Sequence, residues 1–235
     1  MGGLGAMMGG YGAQLAAGIL LTLEISVASY AVGIGFGVLG AALKLSRLRG
    51  LRLAGGLYTT IVRALPELLL LLIAFYVLAG AVSGLAASIG LVRADFAFNP
   101  FLVAVVSLGF IQGAYVTEIL RAGVLALPRG QADAAHALGL SAWTRWRRVL
   151  GPQVLRHALP ALGNVWLNAT KDSSLISVVG AFADVLKVSS LAAAATKEYL
   201  FFYGLAALCF LLISVVSMAA LEALHIRSRR GLHTA

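Results

Sequence analysis

Long apolar runs separated by short polar stretches dominate the chain. A run of about 18 or more apolar residues is long enough to cross a bilayer as a helix. Five such runs are present: Gln14–Leu43, Pro66–Ser83, Pro100–Leu120, Leu159–Gly180 and Tyr199–Leu221. The first is long for one crossing. The second opens on Pro66-Glu67, and the fourth is the least apolar, with Asn164, Asn168, Lys171 and Asp172 inside it. The pattern predicts an all-α polytopic membrane protein, a single domain over residues 1–235 with five transmembrane helices. One long polar insertion, residues 127–157, lies between the third and fourth helices.

No internal repeat is visible, and an odd number of crossings argues against an inverted duplication within the chain. A pathway is then expected between two such chains. Gly33, Gly37 and Ala41 recur every four residues along the first run, a small-xxx-small spacing that permits close helix packing.

Composition agrees with the pattern. Hydrophobic residues make up 60% of the 235, charged residues 11%, and mean hydropathy is +0.94. A soluble domain is typically about 25% charged, so this composition excludes a soluble enzyme, a disordered tail and a disulfide scaffold. The lone cysteine, Cys209, lies in an apolar run and permits no internal disulfide or cysteine-based zinc site. No Lys or Arg occurs in the first 43 residues, so the basic flank of a cleaved signal is missing and the first span is expected to be retained.

The net charge of +9 gains meaning from its placement. Fourteen of the eighteen basic residues fall beside or within the first loop, the third loop and the C-terminal tail, whereas Arg93, Lys187 and Lys197 lie on the other side and Lys171 within a span. Basic loops stay in the cytoplasm. The expected topology has the N-terminus outside and the C-terminus in the cytoplasm, in a bacterial inner membrane.

The insertion carries the most local information. Pro128-Arg129-Gly130 marks a turn, Gln131–Leu138 reads as a short alanine-rich helix, and Gly139 stops it. Ser141 suits the N-cap of a second helix, Ala142–Leu150, which Gly151-Pro152 is expected to end. On that helix Trp143, Trp146 and Leu150 share one face and Arg145 and Arg148 another, an arrangement suited to the membrane interface. Lipid contact is therefore expected and nucleic-acid contact is not, since membrane spans flank the insertion closely.

Asp133-Ala134-Ala135, three residues, Gly139, nine residues and Val149-Leu150-Gly151-Pro152 resemble the EAA loop of the permease subunits of bacterial ABC importers. Asp133 replaces that family's Glu and Gly151 its Leu. The segment Tyr58–Glu67, with Arg63-Ala64-Leu65-Pro66, is similar to the Arg-Gly-x-Pro stretch before the second span of such permeases. Gly113–Glu118, Ala158–Asn164 and Lys171–Leu175 are similar to their third and fourth spans. The chain is thereby identified as a member of the MetI-like transmembrane family, in the polar amino-acid group, and most resembles the Q-type subunits of histidine/lysine/arginine/ornithine and opine importers.

The resemblance implies that a dimer of ATPase subunits docks at Gln131, Asp133, Ala134, Ala135, Ala137, Leu138, Gly139 and Pro152. It also implies a second permease chain, homologous or identical, and a periplasmic binding protein that delivers an amino-acid substrate to the outer loops, Gly84–Asn99 and Ala181–Lys197. ATP and magnesium would sit on the ATPase. No Gly-x-x-x-x-Gly-Lys-Ser/Thr run occurs in this chain, which is expected to bind no cofactor, to hold no metal and to perform no covalent chemistry.

Polar residues inside spans are costly and usually face a cavity or a partner. Asn164, Asn168, Lys171 and Asp172 fall within one quadrant of a helix; they line a pathway or an intersubunit contact, or form a packing network around Lys171 and Asp172. Glu67 either pairs with a cationic substrate group or sits as a capping carboxylate at a helix N-terminus. Glu118 either pairs with Arg121 or lines a path with Tyr115. Together with Arg63, Pro66 and Ser173 these are the candidate pathway or gate residues. No role is assigned to Glu24, and the four histidines lack metal spacing. Two other classes compete: an ATPase-independent secondary amino-acid transporter using Lys171, Asp172 and Glu118 as a relay, and a membrane-anchored enzyme, for which no catalytic set is visible.

Overall fold

A computed structural model describes residues 2–91, 93, 97–179 and 182–229; among them all regular structure is helical. The end of the fourth predicted span at Gly180, parts of both predicted outer loops and Arg230 lie outside the described residues. The helices are α1 (Gly2–Leu45), α2 (Arg49–Ala64), α3 (Glu67–Ile73), α4 (Ala79–Ser88), α5 (Pro100–Leu125), α6 (Arg129–Ala137), α7 (Ala142–Arg145), α8 (Gly151–Asp172), α9 (Leu175–Val179), α10 (Val185–Thr196) and α11 (Tyr199–Arg229). A π turn at Ala74–Leu78 joins α3 to α4 without a break.

Four of these helices are long and apolar enough to cross a membrane: Gly10–Leu45, Glu67–Ser88, Pro100–Leu125 and Tyr199–Ala223. The expected fifth, over Leu159–Gly180, takes a different form. Its helix is α8, which starts at Gly151 and ends at Asp172, followed by a turn and the one-turn α9. At 1.5 Å per residue, 22 residues extend about 33 Å. Its length therefore suits a bilayer, but its polar stripe lowers its mean apolarity.

The core forms where α1 lies along α5. Gly37 and Gly40 let the backbones meet: a Cβ on Gly37 would stand 2.2 Å from Val116 Cγ1, and one on Gly40 2.1 Å from Thr117 Oγ1. The small-residue spacing in the first run is thus used at this interface within the chain. Thr117 Oγ1 donates to Gly113 O at 2.7 Å, so this buried hydroxyl is satisfied by its own helix. Ile25, Leu71, Leu108, Ile111 and Ile176 extend the core to α3 and α9. On the other side of α5, Val116 packs with Ala158, Leu162 and Val165 of α8. Tyr30 fixes α1 to α8, donating to Leu162 O at 3.0 Å with its ring edge-to-face on Trp166.

Two local readings need correction. The helix beginning at Ala142 does not end at Gly151-Pro152. It passes through a π turn, Trp146–Leu150, and continues as α8. The wider turn lets the Gly151 N–H reach Trp146 O, and a Cβ on Gly151 would lie 2.6 Å from that oxygen. Proline is tolerated at the start of a helical stretch because its N–H would be unpaired there, and the π turn creates that situation for Pro152. The predicted outer loop Ala181–Lys197 is also largely the helix α10. It packs on α1 and α11, burying Val185, Val188, Ala192 and Ala193. Asp184 caps it, accepting from Lys187 N at 3.0 Å and from the Ser177 hydroxyl.

Candidate functional site

The break between α2 and α3 is the first place where polar side chains converge. A residue before proline is driven out of the α region. Accordingly α2 ends at Ala64, and Leu65 and Pro66 are extended, with ψ of 147° and 132°. Glu67 then opens α3. It is the acidic residue of the first turn of α3. Its Oε1 accepts from the Tyr115 hydroxyl of α5 at 3.3 Å, and its carboxyl lies beside that of Asp172, the last residue of α8. The Arg63 guanidinium lies over the Tyr115 ring, 5.4 Å from its centre, within cation–π range. Residues from α2, α3, α5 and α8 therefore meet at one point. Two touching carboxyls repel when both are ionised, and a cation or a proton between them removes the repulsion.

Glu118 lies one turn further along α5 and is engaged elsewhere. It pairs with Lys44 of α1, and more loosely with Arg121 at 3.6 Å. Lys44 also donates to Thr59 Oγ1 of α2 at 2.8 Å. The result is a knot joining α1, α2 and α5, in which the expected Glu118–Arg121 pair within α5 is one contact. Sequence reasoning used Lys44 only to orient the chain and passed over Thr59.

On α8, Asn164, Asn168 and Lys171 are exposed on the surface of the chain and Asp172 is half-buried. Among the described residues no ion pair within 4 Å joins Lys171 to Asp172. Asn164 lines a cavity between α8 and α11 with Leu159, Pro160, Met218 and Glu222. Ser173 is fully buried, and its hydroxyl donates to Thr170 O at 2.8 Å. It closes the end of α8.

The connector forms the second place. α6 ends where Gly139 takes φ +71°, a left-handed conformation that glycine adopts without cost. Gly139 N donates to His136 O at 2.9 Å and Leu140 N to Ala135 O at 3.2 Å, satisfying the last carbonyls. Ser141 then caps α7, accepting from Thr144 N at 3.3 Å. Ala135 alone is buried in this stretch. Gln131, Asp133, Ala134, Ala137 and Gly139 are exposed, as is Pro152 on α8, and Leu138 is 79% exposed. Gln153 of α8 donates to Gln131 Oε1 at 3.3 Å. The connector is thus fastened to α8, while its small side chains and one large apolar side chain face outward.

A family model described as "Binding-protein-dependent transport system inner membrane component" matches residues 33–230. The chain belongs to this family. Among its relatives, the nopaline transport system permease protein NocQ of Agrobacterium fabrum is 44% identical over 212 residues, 88% of each chain. The octopine transport system permease protein OccQ of Rhizobium radiobacter is 35% identical, covering 95% of this chain and 93% of that one. The histidine/lysine/arginine/ornithine transport system permease protein HisQ of Salmonella typhimurium is 35% identical, covering 97% and 99%. An amino acid ABC transporter crystallised with histidines superposes with a TM-score of 0.77 at 27% identity, covering 94% of this chain and 96% of that one. The MetNI methionine ABC transporter superposes at 0.73 with 16% identity, which shows the shared fold. The chain is therefore an inner-membrane permease component. This membership does not favour an ATPase-independent secondary transporter.

Proposed function

We propose that this permease imports amino acids or opines carrying a cationic side chain, as one half of a membrane core that two ATPase subunits drive. In this reading five segments cross the membrane, α8 with α9 forming the fourth. The N-terminus lies outside and the C-terminus in the cytoplasm. ATP and magnesium belong to the ATPase partners, and this chain binds neither. A periplasmic binding protein delivers substrate to the outer face, and the second permease chain completes the pathway.

The observation that carries the reading is the wiring of α6. It lies between α5, which carries Tyr115, and the α7–α8 rod, which carries Asp172. A push on the exposed face of α6 reaches both helices and moves Tyr115 and Asp172 relative to Glu67 on α3. Closing of the ATPase pair would supply that push at Gln131, Asp133, Ala134, Ala135, Ala137, Leu138 and Gly139, with Pro152 beside them. Glu67 and Asp172 would hold the cationic group, while Arg63 and Pro66 shape the break and Asn164, Asn168 and Lys171 line the exposed polar stripe. Glu118 tightens the α1–α2–α5 knot, and Ser173 supports the end of α8.

The test is to isolate the tagged chain in mild detergent and identify its companions by mass spectrometry. Recovery of a P-loop ATPase and a second permease chain, or a copy of this one, is expected. A stable solitary chain without ATPase in several detergents would overturn the reading.

A further inference from the structure

The N-terminal half of α2 and the turn before it form a basic surface that the proposed pathway leaves unused. Arg47, Arg49 and Arg52 are all exposed, and no acidic residue occurs between Glu24 and Glu67. Among the described residues no carboxylate pairs with them. The arginines continue into a shallow groove along one side of the helix, lined by Arg49, Arg52, Leu53, Gly56, Leu57 and Thr60. A Cβ on Gly56 would meet nothing within 4 Å among the described residues, so the absent side chain leaves a shallow notch in the groove. Leu53 and Leu57 beside it are 64% and 52% exposed.

The order of chemistry along this stripe is informative. Two guanidinium groups lie at the start, and two leucines and a notch follow toward the helix end that enters the second span. From Arg49 to Thr60 the helix rises about 17 Å, a length of surface that precedes the second span, Glu67–Ser88, on its cytoplasmic side in the proposed topology. Guanidinium groups bind phosphate in a bidentate fork, and a cytoplasmic-leaflet surface carries anionic lipid that attracts basic side chains. A lipid combines a phosphate head with an acyl chain in this order.

We infer that the groove on α2 is a binding site for an anionic phospholipid, with its phosphate on Arg49 and Arg52 and an acyl chain along Leu53, Gly56 and Leu57. Arg47 adds to the field at the headgroup. Because α2 also carries Thr59 and Arg63, an occupied groove braces the helix that supports the pathway break. The inference rests on the proposed topology for the leaflet it names.

The test uses the whole importer in nanodiscs of mixed phosphatidylglycerol and phosphatidylcholine, with retained lipid counted by native mass spectrometry. The wild type is expected to retain phosphatidylglycerol over phosphatidylcholine. A surface arginine near anionic lipid contributes about a fivefold preference, so Arg49→Gln with Arg52→Gln should lower the preference about 25-fold. Arg49→Lys with Arg52→Lys should keep most of it, and Gly56→Leu, which fills the notch with both arginines present, should lower retention. Equal retention by the wild type and the double glutamine variant would overturn the site. So would loss of the ATPase from the double variant in every lipid, which would make the patch a protein contact. Labelling of Ser46→Cys in a Cys209→Ser background tests the topology separately. Labelling only from outside would sink the proposed orientation while leaving the lipid count readable.

Discussion

Glu67→Gln removes one charge from the carboxyl pair and keeps the shape of the side chain. The Tyr115 hydroxyl, 3.3 Å from Oε1, can donate to a glutamine oxygen as well as to a carboxylate, so the break itself should stand. A cation about 4 Å from a carboxylate gains about 1 kcal/mol in water and about 4 kcal/mol at the effective dielectric of a protein surface. Glu67 is half-buried, and Asp172 remains to hold part of the attraction. The loss should therefore be about 1–2 kcal/mol, or roughly 5- to 30-fold in apparent affinity. The assay is ATP-driven uptake into proteoliposomes containing the complete importer. Arginine and its neutral isostere citrulline are each delivered by saturating loaded binding protein. Arginine uptake should fall 5- to 30-fold relative to citrulline. An equal fall for both would return Glu67 to a capping role and refute the cation-site reasoning.

The other predictions concern the supports of that site. Lys44→Met and Glu118→Gln should each destabilise the chain, and together should cost less than their sum. The coupling in a double-mutant cycle by denaturant unfolding in detergent should be about 1–3 kcal/mol for this partly buried pair; additive effects would count against the knot. Gly37→Ala puts a methyl 2.2 Å from Val116 Cγ1. The overpacking should cost about 1–3 kcal/mol in the same measurement, and unchanged stability would contradict the close α1–α5 contact. Asp172→Asn should lower arginine uptake as Glu67→Gln does, whereas Ser173→Ala, deep in the helix end, should change stability without changing selectivity. A selectivity change in the Ser173 variant would place that residue in the pathway after all.

Much of this arrangement was legible in local sequence because its causes are local. Ser141 capped where expected and Gly139 turned the chain where expected, each through the backbone chemistry of one residue, whereas the helix α2 before Pro66 reads in the sequence only as part of a loop. What escaped detection depended on partners far along the chain. Lys44 and Glu118 are 74 positions apart, and only the packing of α1 on α5 brings them together. Gly151-Pro152 misled for a different reason. As a pair they read as a stop, but the π turn before them supplies a helical route that needs no N–H from the proline. The extent of α8 was hard to read because the helix has two faces, apolar where it packs on α5 and polar along the exposed Asn164, Asn168 and Lys171.

The central claim is that α6 passes motion from the ATPase to the helices carrying Tyr115 and Asp172. Its most direct test is the number of ATP molecules hydrolysed per arginine imported by the reconstituted importer carrying Gly139→Arg, with Gly139→Ala as control. Any side chain in the left-handed conformation at this position costs about 1–2 kcal/mol locally, and the alanine variant carries that strain without bulk. The account predicts that the alanine variant keeps coupled uptake, and that the arginine variant hydrolyses ATP with little or no uptake. Uptake coupled as in the wild type with arginine at this position would contradict the claim.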